Sequence, residues 1–428
     1  MKKLADGQID FAVATVDSYI LNAMKYNYPG VIISVIDESK GGDAILARKD
    51  KVTNLDQVKA KNDLRIAFTP DSPSHFLAKA AAYHFNVPEL LPHDKNKIET
   101  RGSEEALKKL LSGKTDVAIL WEPDVSKALR NKEVVKILGT EDTEHLIVDV
   151  LIVNRKFSKD NPGTVKMFLS AYFQILKRYT DDPKMLEKHL MQDTGLPEDS
   201  VMPMLKGVRW VNLTENCEKW FGISAPGMSS DTDLISTIDS TIVVLKSAGD
   251  FTNSPLPNGD PARIIYSGYL EELFLNGVST QDKSTVVNSN SLEAKFSALT
   301  PQQWDKLKEV RTLKVDVSFQ HGDSQLTMIS KDAVDKSVEM LRHYPNFRVV
   351  IRGHTDTRGD AAENIKMSQD RANTVAKYME VTYNIDSNRL HPVGLGGTKP
   401  LPKLQGETLR SWAYRLPRVE LVLVREVF

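Results

Sequence analysis

The chain has 428 residues, more than one typical core organises, and a spacing of roughly 100–200 residues per domain predicts two or three domains. Its 56 basic and 57 acidic residues leave a formal charge of −1, so no positive excess exists to neutralise phosphates, and neither nucleic acid nor an anionic membrane surface is an expected partner. The single cysteine, Cys217, rules out an intrachain disulfide and any multi-cysteine zinc or iron–sulfur centre. At the start, "MKKLADGQIDFAVA" meets Asp6 and Asp10 where a signal peptide needs an unbroken apolar stretch. The later run "HLIVDVLIVN" is interrupted by Asp149, so no membrane span is predicted.

In residues 1–155 short apolar stretches, "DFAVAT", "VIISVID", "DAILARK", "LRIAF", "DVAIL", "VKILG" and "DVLIVN", alternate with amphipathic ones such as 74–85 and 103–112. This alternation predicts an α/β domain with mainly parallel sheet. The pattern Leu-x-x-Gly-x-x-Asp-x-Ala occurs twice, at Leu4 and at Leu110. Each copy ends a helix on glycine and enters a strand through Asp; it reads either as chance or as two similar lobes in one domain. From about 164 to 250 the pattern is mostly helical, and "TVKMFLSAYFQILKRY" carries an apolar stripe that assigns Phe168, Tyr172 and Phe173 to the core. Residues 278–291 are rich in Ser, Thr and Asn and read as a linker. A short helix at 301–310 is followed by strand 313–319, helix 330–343, strand 347–352, helix 361–381 and strand 418–425, a βαβαβ unit.

The most charge-dense stretch is "GHTDTRGDAAENIKMSQDRA", residues 353–372. Asp360 and Glu363 fit a capping box that starts the helix at Ala361. Asn364, Ser368 and Arg371 then share one stripe, beside an apolar face of Ile365, Ala372, Val375, Ala376 and Met379. A metal on His354 and Asp356 is poorly supported, because Thr355 alone separates two strand-end side chains and no further His or Cys lies in the loop. Arg358-Gly359-Asp360 as an adhesion tripeptide is set aside, since Gly359 serves as the turn before the helix cap. Taken alone, Arg371 reads as a solvated arginine. Together, Asp356 and Arg371 suit a ligand presenting both an ammonium and a carboxylate. Ten residues of helix rise about 15 Å, so the two can share a ligand only if the loop 353–360 folds back along the helix.

"GHTDTRG…N…MSQDRANTVAKYM" resembles the OmpA-like peptidoglycan-binding domain, over residues 312–428. The resemblance implies that Asp356 and Arg371 hold the diaminopimelate of the peptidoglycan stem, with Asn364, Thr355 and Arg418 in support. "NRLHPVGLGGTKPL" is similar to that family's Gly-x-Gly-x-x-x-Pro segment. Two departures are expected to weaken or redirect binding: "LPRVE" keeps only Arg418 of an Asn-Arg-Arg-Val-Glu pattern, and "FQHGDS" puts His321 and Gly322 at a groove wall.

Residues 1–275 resemble the periplasmic solute-binding proteins of ABC importers, in the branch for taurine, sulfonates and thiamine precursors. The carriers are "GDAILARKD" and "IVDVLIVNRKF" as crossing strands, "FTPDSPSHFLAKAA" and "LWEPDVSKAL". The implied fold class is α/β: a two-lobed solute-binding clamshell, then residues 276–311 as linker and short helix, then the smaller OmpA-like domain at 312–428. Thr69, Ser72, Ser74 and His75 stand at a helix start whose hydroxyls and N–H groups suit an anionic group on a small solute, although capping explains one of them equally well. Thr15, Asp17, Ser18, Trp121 and Glu122 stand at carboxyl ends of strands, where open α/β sheets bind ligands. Trp121 fits solute contact and hinge packing equally. Relative to that family the chain starts inside the first lobe's second helix, which reads either as a fragment of a longer exported protein without its signal peptide and first βαβ unit, the preferred expectation, or as a shortened lobe that has lost solute binding.

The combined expectation is a non-catalytic periplasmic protein of a Gram-negative envelope, binding a small solute and the cell wall, with an ABC importer permease as a further partner and no cofactor or metal. An enzyme of the thiamine-pyrimidine-synthase kind shares the clamshell but uses a cysteine cluster where Cys217 stands alone. A structural protein whose clamshell contacts another protein is the third reading.

Overall fold

The computed structural model describes residues 1–91, 96–223, 232–275, 296–313, 317–319 and 322–425. The chain divides into two compact units, with the main break between Val287 and Asn288. The expected linker at 278–291 and His321 lie outside the described residues.

Among the described residues the first unit holds nine strands: β1 (Phe11–Thr15), β2 (Gly30–Ser39), β3 (Asp43–Arg48), β4 (Ile66–Phe68), β5 (Lys97–Glu99), β6 (Val117–Trp121), β7 (Val134–Gly139), β8 (Val148–Asn154) and β9 (Val208–Trp210). They form two sheets, ordered β1-β8-β2-β9 and β5-β4-β6-β3-β7. The mainly parallel expectation is corrected here. Only β5-β4-β6 pair in parallel; β3 is antiparallel to β6 and β7, and the first sheet is antiparallel throughout. Parallel pairing needs a long crossover, which the helices Pro73–His84 and Ser103–Leu111 provide around β4, β5 and β6. β3 instead arrives from the other sheet through residues 40–42 alone, and the chain returns through 140–147.

These two crossings are tied together. The buried Thr140 hydroxyl accepts from the amides of Gly41 (2.9 Å) and Asp43 (3.2 Å) and bonds the Ser39 hydroxyl at 2.8 Å. The helix Pro162–Asp181 buries Val165, Leu169, Phe173 and Leu176, the spacing its sequence dictates. Phe168 departs from its core assignment: it is 42 % exposed and stacks on Phe11 at 4.4 Å.

The second unit contains β10 (Lys308–Thr312), β11 (Val317–Ser318), β12 (Arg348–His354), β13 (Leu390–Gly394) and β14 (Arg418–Arg425), in the order β10-β14-β12-β13 with β11 also on β14. The expected helix at 301–310 is only Pro301–Trp304, because Lys308 onward pairs with β14 as strand. β12 and β13 are parallel and joined by the helix Ala361–Tyr383; β14 runs antiparallel to β12. Val349, Ile351, Leu421 and Leu423 are buried, as are Ala372, Val375 and Met379 of that helix, whereas Ile365 is 44 % exposed. The opposite sheet face is covered too: Val350, Val422 and Val424 pack with Trp304 and Leu307.

Candidate functional sites

The charge-dense stretch builds the first site. Asp360 caps the long helix, its carboxylate accepting from the amides of Ala362 (2.9 Å) and Glu363 (3.0 Å). The helix then runs back over the sheet so closely that a side chain on Gly353 would collide with the carbonyl of Ser368, and one on Gly394 would stand 2.5 Å from the amide of Gln369. This meets the condition that loop 353–360 fold back. Helical side chains lean toward the helix N-terminus, and Arg371 accordingly reaches the strand end. It is 2 % exposed, donates to the carbonyls of Asp323 (2.9 Å) and His354 (3.4 Å), and lies 5.1 Å from the Phe319 ring centre. Burial works against its charge, with Asp323 partly offsetting it. The solvated-arginine reading is thereby corrected.

Asp356 follows in the same loop, partly exposed, and accepts from Arg358 Nε at 2.7 Å and from the Arg358 amide at 3.3 Å. Burial opposes its ionisation, but Arg358 outweighs it and holds the carboxyl below its ordinary range. Arg358, the first residue of the adhesion-like tripeptide, is therefore an internal counter-ion. Asn364 braces the loop by donating to the Arg358 carbonyl at 2.8 Å. Thr355 is buried and its amide donates to Gly396. Arg418 faces His354 across the β12–β14 ladder and donates to Glu420 at 2.8 Å. Burial opposes charge on Glu420, but His354, with Nε2 at 3.3 Å, and Arg418 lower its carboxyl to about 2.

The second site is a cleft of about 280 Å³ beside the two crossings. Of the solute residues expected from sequence, Thr15, Trp121 and Glu122 line it. The hydroxyl set at the helix Pro73–His84 is turned to other work. Ser72 accepts from the His75 amide as a cap and donates to Thr69 O; Ser74 donates to Asp43 at 2.5 Å; Thr69 pairs with Thr100 at 3.2 Å. His75 packs tilted against Phe68, and burial, then Lys79 and Lys97, push it down to about 3. Ser18 bonds Asp17 and the carbonyl of Asp71. Asp17 is 2 % exposed, its carboxyl pushed up to about 6 by burial against the Thr15 and Ser18 hydroxyls.

In place of an anion-binding hydroxyl cluster, the cleft carries Asp37, Asp43 and Asp149 beside Glu122. Asp37 and Asp149 are direct partners across the antiparallel β2–β8 ladder. Burial raises both carboxyls; Asp149 pushes Asp37 further, to about 8, while Asp43 adds to the rise of Asp149 and a hydrogen bond from Asp37 opposes it, leaving it at about 6. Asp43 is 7 % exposed, raised by burial and held by the hydroxyls of Ser74 and Ser39. Sequence reasoning did not single out these three as ligand residues; the available signal was an acid inside an otherwise apolar strand, as in "VIISVIDES" and "IVDVLIVN".

An α/β clamshell with a cleft at its crossings, followed by a unit of helices on a sheet with a charged strand end, is a two-module architecture. Residues 1–185 match the NMT1/THI5 like family and residues 318–410 the OmpA family. Outer membrane porin F of Pseudomonas aeruginosa is 30% identical over 93 residues, 22% of this chain and 27% of that protein. The peptidoglycan-associated lipoprotein of Legionella pneumophila is 32% identical over 82 residues, 19% of this chain and 46% of that one. The chain thus spans less than half the length of these curated relatives. The periplasmic aliphatic sulphonate binding protein SsuA from Escherichia coli is similar in structure over 62% of this chain and 78% of its own, at 16% identity and a TM-score of 0.45. The chain carries an NMT1/THI5-like domain at its N-terminal end and an OmpA domain at its C-terminal end. Among the described residues no helix is long and apolar enough to cross a membrane.

Proposed function

We propose that this protein is a non-catalytic binding protein of the Gram-negative periplasm, in which a small-solute module is tethered to the cell wall by an OmpA domain that grips the diaminopimelate of the peptidoglycan stem. The observation that carries the reading is the buried Arg371 guanidinium, held at the His354 carbonyl at the end of the strand that delivers Asp356. Opposite charges so placed read the carboxylate and ammonium of a free diaminopimelate end and disfavour a lysine-type stem. In support, Asn364 fixes the loop, and Thr355 and Arg418 frame the strand end.

Binding is favoured over catalysis by the state of Cys217. It is fully buried, and its thiol is pushed up to about 12 by burial, then by Glu218 and Glu271, which removes the nucleophilic thiolate. An importer permease is the partner such a solute module would serve; a clamshell that docks another protein is the alternative. Co-sedimentation of the full chain with purified sacculi tests the wall-binding half. Retention is expected on diaminopimelate-type sacculi and not on lysine-type ones; equal retention on both, or on neither, overturns it.

A further inference from the structure

The cleft at the crossings has a chemical polarity that its place in the fold does not dictate. Four of its lining side chains are acidic, Asp37, Asp43, Glu122 and Asp149, and among the described residues no lysine, arginine or histidine lines it. Their surroundings do not supply compensating cations. Asp43 is satisfied by the hydroxyls of Ser39 (2.8 Å) and Ser74 (2.5 Å), and Glu122 by the hydroxyl and amide of Ser126 (2.7 and 3.1 Å). Asp37 and Asp149 face each other across β2 and β8, and like charges directly opposite in a ladder repel. The groups acting on Asp37 are Asp149, Glu38 and Asp43, all acids, with the Tyr172 ring also close; those acting on Asp149 are Asp43 and Asp37.

A second observation is independent of the acids. Thr15 lines the same cleft, is 3 % exposed, and its hydroxyl has no partner in hydrogen-bonding geometry. Buried polar atoms are rarely left unsatisfied, so the Thr15 hydroxyl on the cleft wall marks a place where a ligand group belongs.

The remaining walls are Trp121, Pro73, Ile147, Met204 and Val208, which give an apolar body somewhere to lie and a ring face to which a cation is attracted. A hard metal ion fits poorly: it needs six to eight oxygen ligands, while the oxygens of Asp43 and Glu122 are already engaged by serines. An anion meets only repulsion. We propose that the solute of this cleft is a small organic cation, an ammonium or amidinium group on a compact apolar body, read by the Asp37–Asp149 pair with Thr15 and with Trp121 as the apolar wall. This rests on the solute-binding reading and specifies its ligand class.

The test uses the full chain in thermal-shift and calorimetric titrations with three cations, choline, putrescine and agmatine, with 3,3-dimethylbutan-1-ol as the neutral isostere of choline, and with ethanesulfonate, calcium and magnesium. At least one organic cation is expected to bind with single-site stoichiometry while the neutral isostere and ethanesulfonate do not. Asp149→Asn and Asp37→Asn, each checked for an unchanged circular dichroism spectrum, are expected to weaken that binding at least about tenfold, as loss of a charged hydrogen bond does. Binding of ethanesulfonate with the cations inert, or of the metals alone, overturns the cation class and leaves a solute site standing. Cation binding that both Asn variants retain at full strength lies outside the cleft and overturns the proposal. No binding in any arm overturns the solute-binding reading itself.

Discussion

Arg371 donates to the carbonyl oxygen of His354 from a helix position seventeen residues downstream, which puts a buried guanidinium at the end of the strand that delivers Asp356. Asp356 is meanwhile held by Arg358, a counter-ion 75 % exposed that a ligand ammonium would have to replace.

The three residues therefore predict two opposite outcomes. Charged hydrogen bonds contribute about 1.5–3 kcal/mol, and 1.4 kcal/mol is about tenfold in affinity. Asp356→Asn should lower retention on diaminopimelate-type sacculi at least about tenfold, with the melting temperature of the second unit unchanged. Arg371→Lys keeps the charge but loses the planar fork, and should weaken retention similarly. Arg358→Ala removes only the internal competitor, an exposed and solvent-screened pair, so binding should hold or rise. Lost binding in Arg358→Ala with full binding in Asp356→Asn would reverse the assigned roles.

Gly353 should be intolerant for a reason separate from ligand binding. An added methyl collides with the backbone of Ser368, which cannot move without lifting the helix from β12. Gly353→Ala is expected to destabilise the second unit by about 1–3 kcal/mol or more. Gly102→Ala, where a methyl would meet nothing, should change stability by less than about 0.5 kcal/mol. Urea melts of the two variants make the comparison, and equal stabilities would refute the close-approach account.

The Asp37–Asp149 pair predicts that the ligand-free first unit loses stability as pH rises. Burial first, then Asp149, raises Asp37 from 3.8 to about 8; burial first, then Asp43, raises Asp149 to about 6 against the hydrogen bond from Asp37 that lowers it. The folded state thus holds protons that the unfolded chain has released. That contribution is complete below the ordinary carboxyl value and is lost as pH climbs through the raised one. Between pH 6 and 8 the excess is about one proton on the pair, a slope of about −1.4 kcal/mol per pH unit. Asp37→Asn should flatten the slope in urea melts over this range. A wild-type slope already flat would mean that the pair ionises without penalty.

Cys217 should be inert in the folded protein. It is fully buried with its thiol raised, so modification by a disulfide reagent at pH 8 should follow unfolding of the first unit and not precede it. Rapid labelling without denaturant would contradict the burial.

The repeated Leu-x-x-Gly-x-x-Asp-x-Ala pattern shows how much was legible. Gly7 (φ 66°) and Gly113 (φ 72°) both take the left-handed region, and the following amides close the same turn: Gln8 onto Lys3 and Lys114 onto Lys109, each at 2.9 Å. One copy leads into β1 and the other into β6, in different sheets. Here the signal was local, so the sequence carried it. Short edge strands left no such signal: β5, β9 and the Pro-containing β13 are defined by the neighbours they pair with.

By itself, the sequence determined the apolar strands, the helix start at Asp360 and the residue types of the proposed wall-binding site, because turns, caps and periodicity act within a few residues. The tertiary structure decided which of those residues meet. Arg371 reaches His354 because Gly353 lets a helix lie on the strand backbone. Asp37 opposes Asp149 because two register shifts in the β2–β8 ladder, at Ile32/Ser34 and Val35/Asp37, slide the strands past simple alternation. Strand register is a property of two segments over a hundred residues apart, set by how both pack. An acid in each strand was visible from the start; their opposition, and with it the polarity of the cleft, exists only in the fold.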